Sequence, residues 1–242
     1  MSAIVQPFAP EASRYWLGLG LFIVAVGAIA GAELEGAGHW LHWLCKPVAT
    51  GLILLLAWRA LPAVSTRYRR WVMAGIGVSL LGDIWLMLPG DFFVLGLLSF
   101  LCAHGCFIAA LLSDTRWNAQ PLALALCLGY AALAVTVIWP GLGSSLHLPV
   151  IVYVLVLATM AGLALTRALV YRHTLMARPA ALAAAGALIF LLSDSLLAWH
   201  RFRAPLPWSA LWVLTTYYYA LWLLAASVRR RRCCPSLVDR TP

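Results

Sequence analysis

Asp83 and Asp194 are carboxyl groups set in two otherwise apolar stretches, VMAGIGVSLLGDIWLML and LAAAGALIFLLSDSLLA. A charged side chain in hydrocarbon costs roughly 2.5–3.5 kcal/mol on insertion scales, so a carboxyl kept there is expected to do something in return. Other chemically capable side chains fall in similar stretches: Lys46 in CKPVATG, His104 in FLCAHGCFIAALL, and Tyr217, Tyr218 and Tyr219 in LTTYYYALWLL. Two acids, an ammonium, an imidazole and phenols are the parts of a general acid–base centre or of a proton relay. Each also has a plainer use. The aspartates could hydrogen-bond a neighbouring helix or pair with Lys46 structurally, Lys46 could snorkel to the interface, a lone buried histidine commonly serves packing, and tyrosine rings pack as aromatics do.

The elements that must hold these groups are membrane helices. Over 242 residues the chain is 64% hydrophobic and 10% charged, with a mean hydropathy of +0.91, far more apolar surface than one soluble core buries. Fold class is therefore all-α: a polytopic membrane bundle of about eight helices, filling residues 1–242 as a single transmembrane domain. Spans are expected at about 15–32, 45–61, 71–89, 92–112, 119–139, 148–169, 180–199 and 207–228. Breakers such as Pro62, Pro89-Gly90, Pro121, Trp139-Pro140-Gly141 and Pro205-Leu206-Pro207 fall at or beside the proposed ends. The first span has one preceding cation, Arg14, and no A-x-A-like site, which favours a retained helix over a cleaved signal.

Most arginines then fall on one side of the bundle, with Lys46, Arg201 and Arg203 near the other, so both termini are expected in the cytoplasm. The net charge of +9 is thus explained by membrane orientation. Its residues form no basic face or aromatic platform for nucleic acid, and no nucleic-acid partner is expected. In this topology the third and seventh spans run the same way, and Asp83 and Asp194 lie roughly 8–9 Å below the same boundary. Their surroundings match as well, SLLGDIWLM against FLLSDSLLA, as if two four-helix halves were related by an axis along the membrane normal. Equivalent helices would bring the two carboxyls towards one centre.

Several chemistries are excluded by pattern. The chain has no G-x-S-x-G elbow, no H-E-x-x-H helix, no P-loop and no dinucleotide fingerprint. His39, His42, His147 and His200, with Glu33 and Glu35, read as solvated or interfacial residues of the outer connections, so neither metal nor cofactor is expected. Cys45, Cys102, Cys106 and Cys127 read as small hydrophobes, and Cys233-Cys234 after the arginine run is compatible with acylation.

Taken in order, Lys46-Pro47, GDIWLM, GLLSFLCAHGCF, LIFLLSDSLLAWHRF and TTYYYALWLL resemble the YhhN family of lysoplasmalogenase-like membrane proteins, over roughly residues 15–228. The resemblance implies an eight-helix integral membrane protein that hydrolyses the vinyl ether bond of lysoplasmalogens. The implied products are a fatty aldehyde and glycerophosphocholine or glycerophosphoethanolamine. The family's motif aspartates fall on Asp83 and Asp194, and its Ala-His histidine falls on His104. The chain departs from the pattern at Leu221, where a glutamine is expected after the tyrosine cluster.

The chemistry suits these residues. An enol ether is cleaved by protonation at its β carbon, capture of the resulting oxocarbenium ion by water, and collapse of the hemiacetal. One carboxyl could act as general acid while the other stabilises positive charge or activates water, as in the two-carboxylate logic of glycoside hydrolysis. Catalytic roles are therefore expected for Asp83, Asp194 and His104. Lys46, Tyr217, Tyr218, Arg201 and Arg203 are expected to hold a single-chain ether phospholipid by its phosphate and polar groups. Such a protein would reside in a membrane as a multi-pass chain, most simply a bacterial inner membrane. Two other readings use the same residues: a proton-coupled transporter, and a lipid-binding protein without turnover.

Overall fold

A backbone removed from water must satisfy its own hydrogen bonds, so long apolar runs become helices. The computed structural model describes residues 11–34, 38–117 and 119–230. Among the described residues there are eight such helices: α1 (Glu11–Glu33), α2 (His39–Trp58), α3 (Thr66–Met87), α4 (Phe93–Leu111), α5 (Pro121–Ile138), α6 (His147–Tyr171), α7 (Ala177–Phe202) and α8 (Ser209–Ala226). All eight are long and apolar enough to cross a membrane. The only strand-like feature described is an isolated bridge between Ala63 and Arg229.

Existence and order of the spans agree with hydropathy, while several boundaries shift by three to six residues, three of them at charged positions. Helix α2 begins at His39, so Lys46 stands two turns inside it and Pro47 is an interior residue. An interior proline is tolerated in a membrane helix because neighbouring groups re-satisfy the backbone. Helix α3 begins at Thr66, capped by Ser65, whose hydroxyl accepts from the Tyr68 amide; its arginine-rich first turn had lowered the apolar signal. Helix α7 runs to Phe202 and carries Arg201 in its last turn.

Successive helices pair as α1/α2, α3/α4, α5/α6 and α7/α8, and the hairpins join through α2/α3, α6/α7, α4/α6 and α2/α8. Several packings have counterparts four helices on: α2/α3 with α6/α7, α3/α4 with α7/α8, and α2/α8 with α4/α6. Small residues set the tightest of these. A Cβ on Gly82 would meet the Phe100 ring of α4 at 2.7 Å, and one on Gly186 would meet the Ala220 carbonyl of α8 at 2.9 Å. The outermost helices break the correspondence: α1 packs on α2 and α8, whereas α5 packs on α6 and α7.

The end of the bundle away from Lys46 is closed by a buried ion pair. The Arg167 guanidinium donates from Nε to Asp114 Oδ1 at 2.9 Å and from Nη2 to Oδ2 at 2.8 Å. Its Cζ lies over the Tyr68 ring, 4.6 Å from the centroid, and the Tyr68 hydroxyl is 2.8 Å from Ser227 Oγ. This bidentate, stacked arrangement joins α3, α6, α8 and the segment after α4, and it leaves the other end of the molecule to house the cavity.

Candidate active site

On α2, His42, Lys46 and Thr50 recur every fourth residue and therefore share one face. That face turns towards α3 and α8. Thr50 Oγ1 and the Tyr217 hydroxyl each donate to Asp83 Oδ2 at 2.7 Å, while Lys46 Nζ lies 3.6 Å from Oδ1. Asp83 is 1% exposed and Lys46 7%. The pair is thus a buried carboxylate–ammonium contact with two hydroxyls completing it, the arrangement that makes a buried charge tolerable. One turn above, His42 Nδ1 donates to the Ala28 carbonyl of α1 at 2.8 Å, which leaves Nε2 as its acceptor.

Asp194 has a sparser setting. Tyr153 of α6 donates to Asp194 Oδ2 through a short contact, and no cation lies within ion-pair distance of it among the described residues. Its neighbours on α7 are tied elsewhere: Ser193 donates to the Val213 carbonyl at 3.0 Å, and Ser195 to the Leu191 carbonyl at 2.7 Å.

Both carboxyls line one cavity of about 610 Å³, a volume ordinary for a small-molecule site. Its wall is mostly apolar, and His39, His42, His200 and Arg201 lie towards the ends of α2 and α7. The histidines of α2, expected in a connection, are therefore helical and face the cavity. The acids also differ in how far their helices continue past them. Helix α3 ends four residues beyond Asp83, whereas α7 continues eight beyond Asp194, about 6 Å and 12 Å of helix respectively.

Of the residues expected to act, Asp83, Asp194, Lys46, Tyr217 and Arg201 line this cavity. Arg201 stands 3.9 Å over the Phe93 ring and 3.5 Å from the exposed carboxylate of Asp91. His104, Tyr218 and Arg203 do not line it. His104 is wholly buried behind the wall, its ring edge-on to Phe190 and Tyr153 at 4.8 and 5.3 Å between centroids. Tyr218 is packed beside Tyr217 with its hydroxyl unpartnered, and Tyr219 faces outward, stacked on Trp222. Leu221 is fully buried one turn beyond Tyr217. Cys45, Cys102, Cys106 and Cys127 are free thiols, while Glu35, Cys233 and Cys234 lie outside the described residues.

Sequence reasoning missed Thr50 and Tyr153. The four-residue step from Lys46 could have found Thr50. Tyr153 carries no such signal, because a tyrosine among valines reads as packing until its partner on another helix is known.

The YhhN family model matches residues 41–228. A lysoplasmalogenase of Mycobacterium bovis is 34% identical over 214 residues, covering 80% of this chain and 76% of the relative. The human lysoplasmalogenase TMEM86B is 32% identical over 193 residues, covering 78% and 77%, and the human lysoplasmalogenase TMEM86A is 34% identical over 170 residues, covering 66% of each. No solved structure matches the chain.

Proposed function

The chain belongs to the YhhN family, and from that premise we propose that it is a lysoplasmalogenase, hydrolysing the vinyl ether bond of a lysoplasmalogen inside the membrane. One observation carries the proposal: Asp83 and Asp194 line the same largely apolar cavity, yet only Asp83 is paired with a cation. That inequality fits an acid and an anion working together on one substrate.

In this mechanism Asp194, held by Tyr153, gives its proton to the β carbon of the enol ether. The C=C electron pair forms the new C–H bond, and positive charge appears on the α carbon and the ether oxygen. Asp83, fixed as a carboxylate by Lys46, Thr50 and Tyr217, faces that charge across the cavity and stabilises it without having to reorient. Water adds to the oxocarbenium carbon and loses a proton to the Asp194 carboxylate. The hemiacetal hydroxyl then gives up its proton as the C=O forms, the bond from that carbon to the glycerol oxygen breaks, that oxygen takes up the proton, and a fatty aldehyde leaves together with glycerophosphocholine or glycerophosphoethanolamine. Arg201 and the α2 histidines are suited to the phosphate at the mouth, where charge stays near water. His104 belongs to this scheme as a support for the Tyr153 ring, because it stands behind the wall.

The arginine distribution supports both termini in the cytoplasm and a cavity mouth on the opposite face; the short connections and the mycobacterial relative support residence in a bacterial inner membrane. The test is full-length protein in proteoliposomes supplied with lysoplasmalogen, with aldehyde release as the measurement. Turnover that disappears in Asp194→Asn supports the proposal. Gradient-driven uptake without aldehyde would make the protein a transporter, and saturable binding without product a lipid-binding protein.

A further inference from the structure

The cavity does not end at its polar groups. A second hollow of about 380 Å³ lies against α5, α6 and α7, lined by Leu126, Cys127, Leu165, Leu188 and Leu192, and it shares Tyr130 and Leu191 with the cavity. Between the two, the Tyr130 hydroxyl donates to Ser195 Oγ at 2.9 Å, and Ser195 Oγ donates to the Leu191 carbonyl at 2.7 Å. Ser195 directly follows Asp194 in the chain. This hydrogen-bonded bridge joins α5 and α7 at the level where the acids lie.

Direction distinguishes the hollow from an ordinary lipid-facing groove. On α7 it runs from Leu191 and Leu192 to Leu188, away from the His200 and Arg201 end, descending about 10 Å from Ser195. On α5, which runs parallel to α7, it goes from Tyr130 to Cys127 and Leu126, in the same spatial direction. It also reaches Leu165, near the end of α6 that carries Arg167. It is open to the side: Leu126 is 62% exposed and Leu188 39%. The cavity is polar near its mouth, and the hollow beside it offers a mostly hydrocarbon surface, five leucines with Cys127 and Tyr130.

We propose that this hollow is the tail subsite, which receives the hydrocarbon chain of a single-chain phospholipid whose head occupies the cavity mouth, and that Tyr130 with Ser195 marks the crossing point from polar cavity to tail subsite. The assignment rests on the cavity being the lipid's reactive site. Adjacency to the cavity, with Tyr130 and Leu191 as a shared wall, selects a substrate tail over a bilayer lipid, because a tail lying there extends the same molecule past the acids, with its reacting bond beside Asp194 and its methyl end towards the bilayer centre. A lipid carrying two chains would have to lodge the second against the Tyr130–Ser195 bridge.

The experiment uses full-length protein in proteoliposomes and a non-cleavable saturated 1-O-alkyl lysophosphatidylcholine with a diazirine at the end of its chain. Photolabel is expected on Leu126, Leu188 and Leu192, displaced by excess unlabelled lysoplasmalogen. Leu188→Trp and Leu126→Trp fill the hollow from two different helices at exposed positions, and each is expected to cut that labelling about ten-fold, the effect of displacing two or so methylenes from contact. The same variants should raise KM for a long-chain substrate while sparing turnover of a short-chain vinyl ether. Label spread evenly over lipid-facing residues such as Phe22 and Ile23 of α1, without competition, would overturn the tail subsite, as would undiminished competed labelling in both tryptophan variants. Competed labelling of the hollow in protein that releases no aldehyde would keep the subsite and refute the hydrolase.

Discussion

Asp83 and Asp194 come from stretches that look alike, and their surroundings in the folded chain are unequal. Asp83 is enclosed by three elements: α2 supplies Lys46 and Thr50, α8 supplies Tyr217, and Gly82 draws α4 against its own helix. Among the described residues Asp194 is held by Tyr153 alone, and it stands next to the bridge at the crossing from the cavity to the hollow beside α5. A carboxylate with an ammonium and two hydroxyl donors is fixed in place and in charge, and it serves best as a preorganised anion. A carboxyl with one hydroxyl and no cation is the better group to part with a proton and recover it. Similar sequence around two acids therefore need not mean similar work; the partners supplied by other helices decide it.

The comparison is broken most directly at the acids themselves. Asp194→Asn is expected to lower turnover by about 10²–10⁴-fold, the usual contribution of a general acid, while the protein keeps its unfolding temperature. Asp83→Asn should also abolish most turnover, but it strands the Lys46 ammonium and should destabilise the fold by roughly 3–5 kcal/mol. Adding Lys46→Met to Asp83→Asn should then restore much of the stability and none of the activity. Thermal unfolding of the three variants beside aldehyde release checks this, and equal stability losses in the two single asparagine variants would erase the proposed division of labour.

Smaller changes sharpen it. Tyr153→Phe removes the only side-chain donor to Asp194 among the described residues; because Asp194 becomes a carboxylate as its proton leaves, the loss is that of a hydrogen bond to a charged group, about 1.5–3 kcal/mol, or roughly ten- to hundred-fold in kcat. Tyr217→Phe leaves Thr50 and Lys46 on Asp83 and should cost less than about ten-fold. The ratio of the two phenylalanine variants is the measurement. A larger loss from Tyr217→Phe would mean that Asp83 is the more sensitive group and would reverse the roles.

How far sequence reached follows the same physics. Hydropathy located all eight spans because burial in hydrocarbon is a property of a whole window, and the cost of a carboxyl there singled out Asp83 and Asp194. It misread the start of α2 because two histidines and a Lys-Pro pair lower the apolar average, although the helix needs only satisfied backbone to continue. From the sequence Lys46 therefore opens its span, able to turn inward or to snorkel outward, whereas in the fold it is two turns inside beside Asp83. Thr50 and Tyr153 stayed invisible for another reason: a hydroxyl gains meaning only from the residue opposite it, and both partners come from other helices. The hollow by α5 depends on where α5 departs from the arrangement of α1, which no window of sequence records.

His104 offers the smallest expected effect and the finest test of the contrast between the acids. Its imidazole can both donate and accept a proton, and it lies against the Tyr153 ring that holds Asp194, so a relay from His104 through Tyr153 would make it chemically necessary. The geometry favours support instead: the ring is edge-on to Tyr153 and Phe190, has no side-chain hydrogen-bond partner and does not line the cavity. His104→Leu keeps much of the volume and removes the edge-on contacts with Tyr153 and Phe190; only the first bears on Asp194 and is worth about 0.5–1.5 kcal/mol, so turnover should fall by no more than about ten-fold. The Tyr153→Phe, His104→Leu double variant separates the two cases. If His104 supports the Tyr153 ring, its substitution adds little once the hydroxyl is gone, and a pH–rate profile of the single variant keeps its shape. A loss in His104→Leu as large as that in Asp194→Asn, with a changed profile, would make the imidazole the third member of the acid–base centre and put the proton's path through α4.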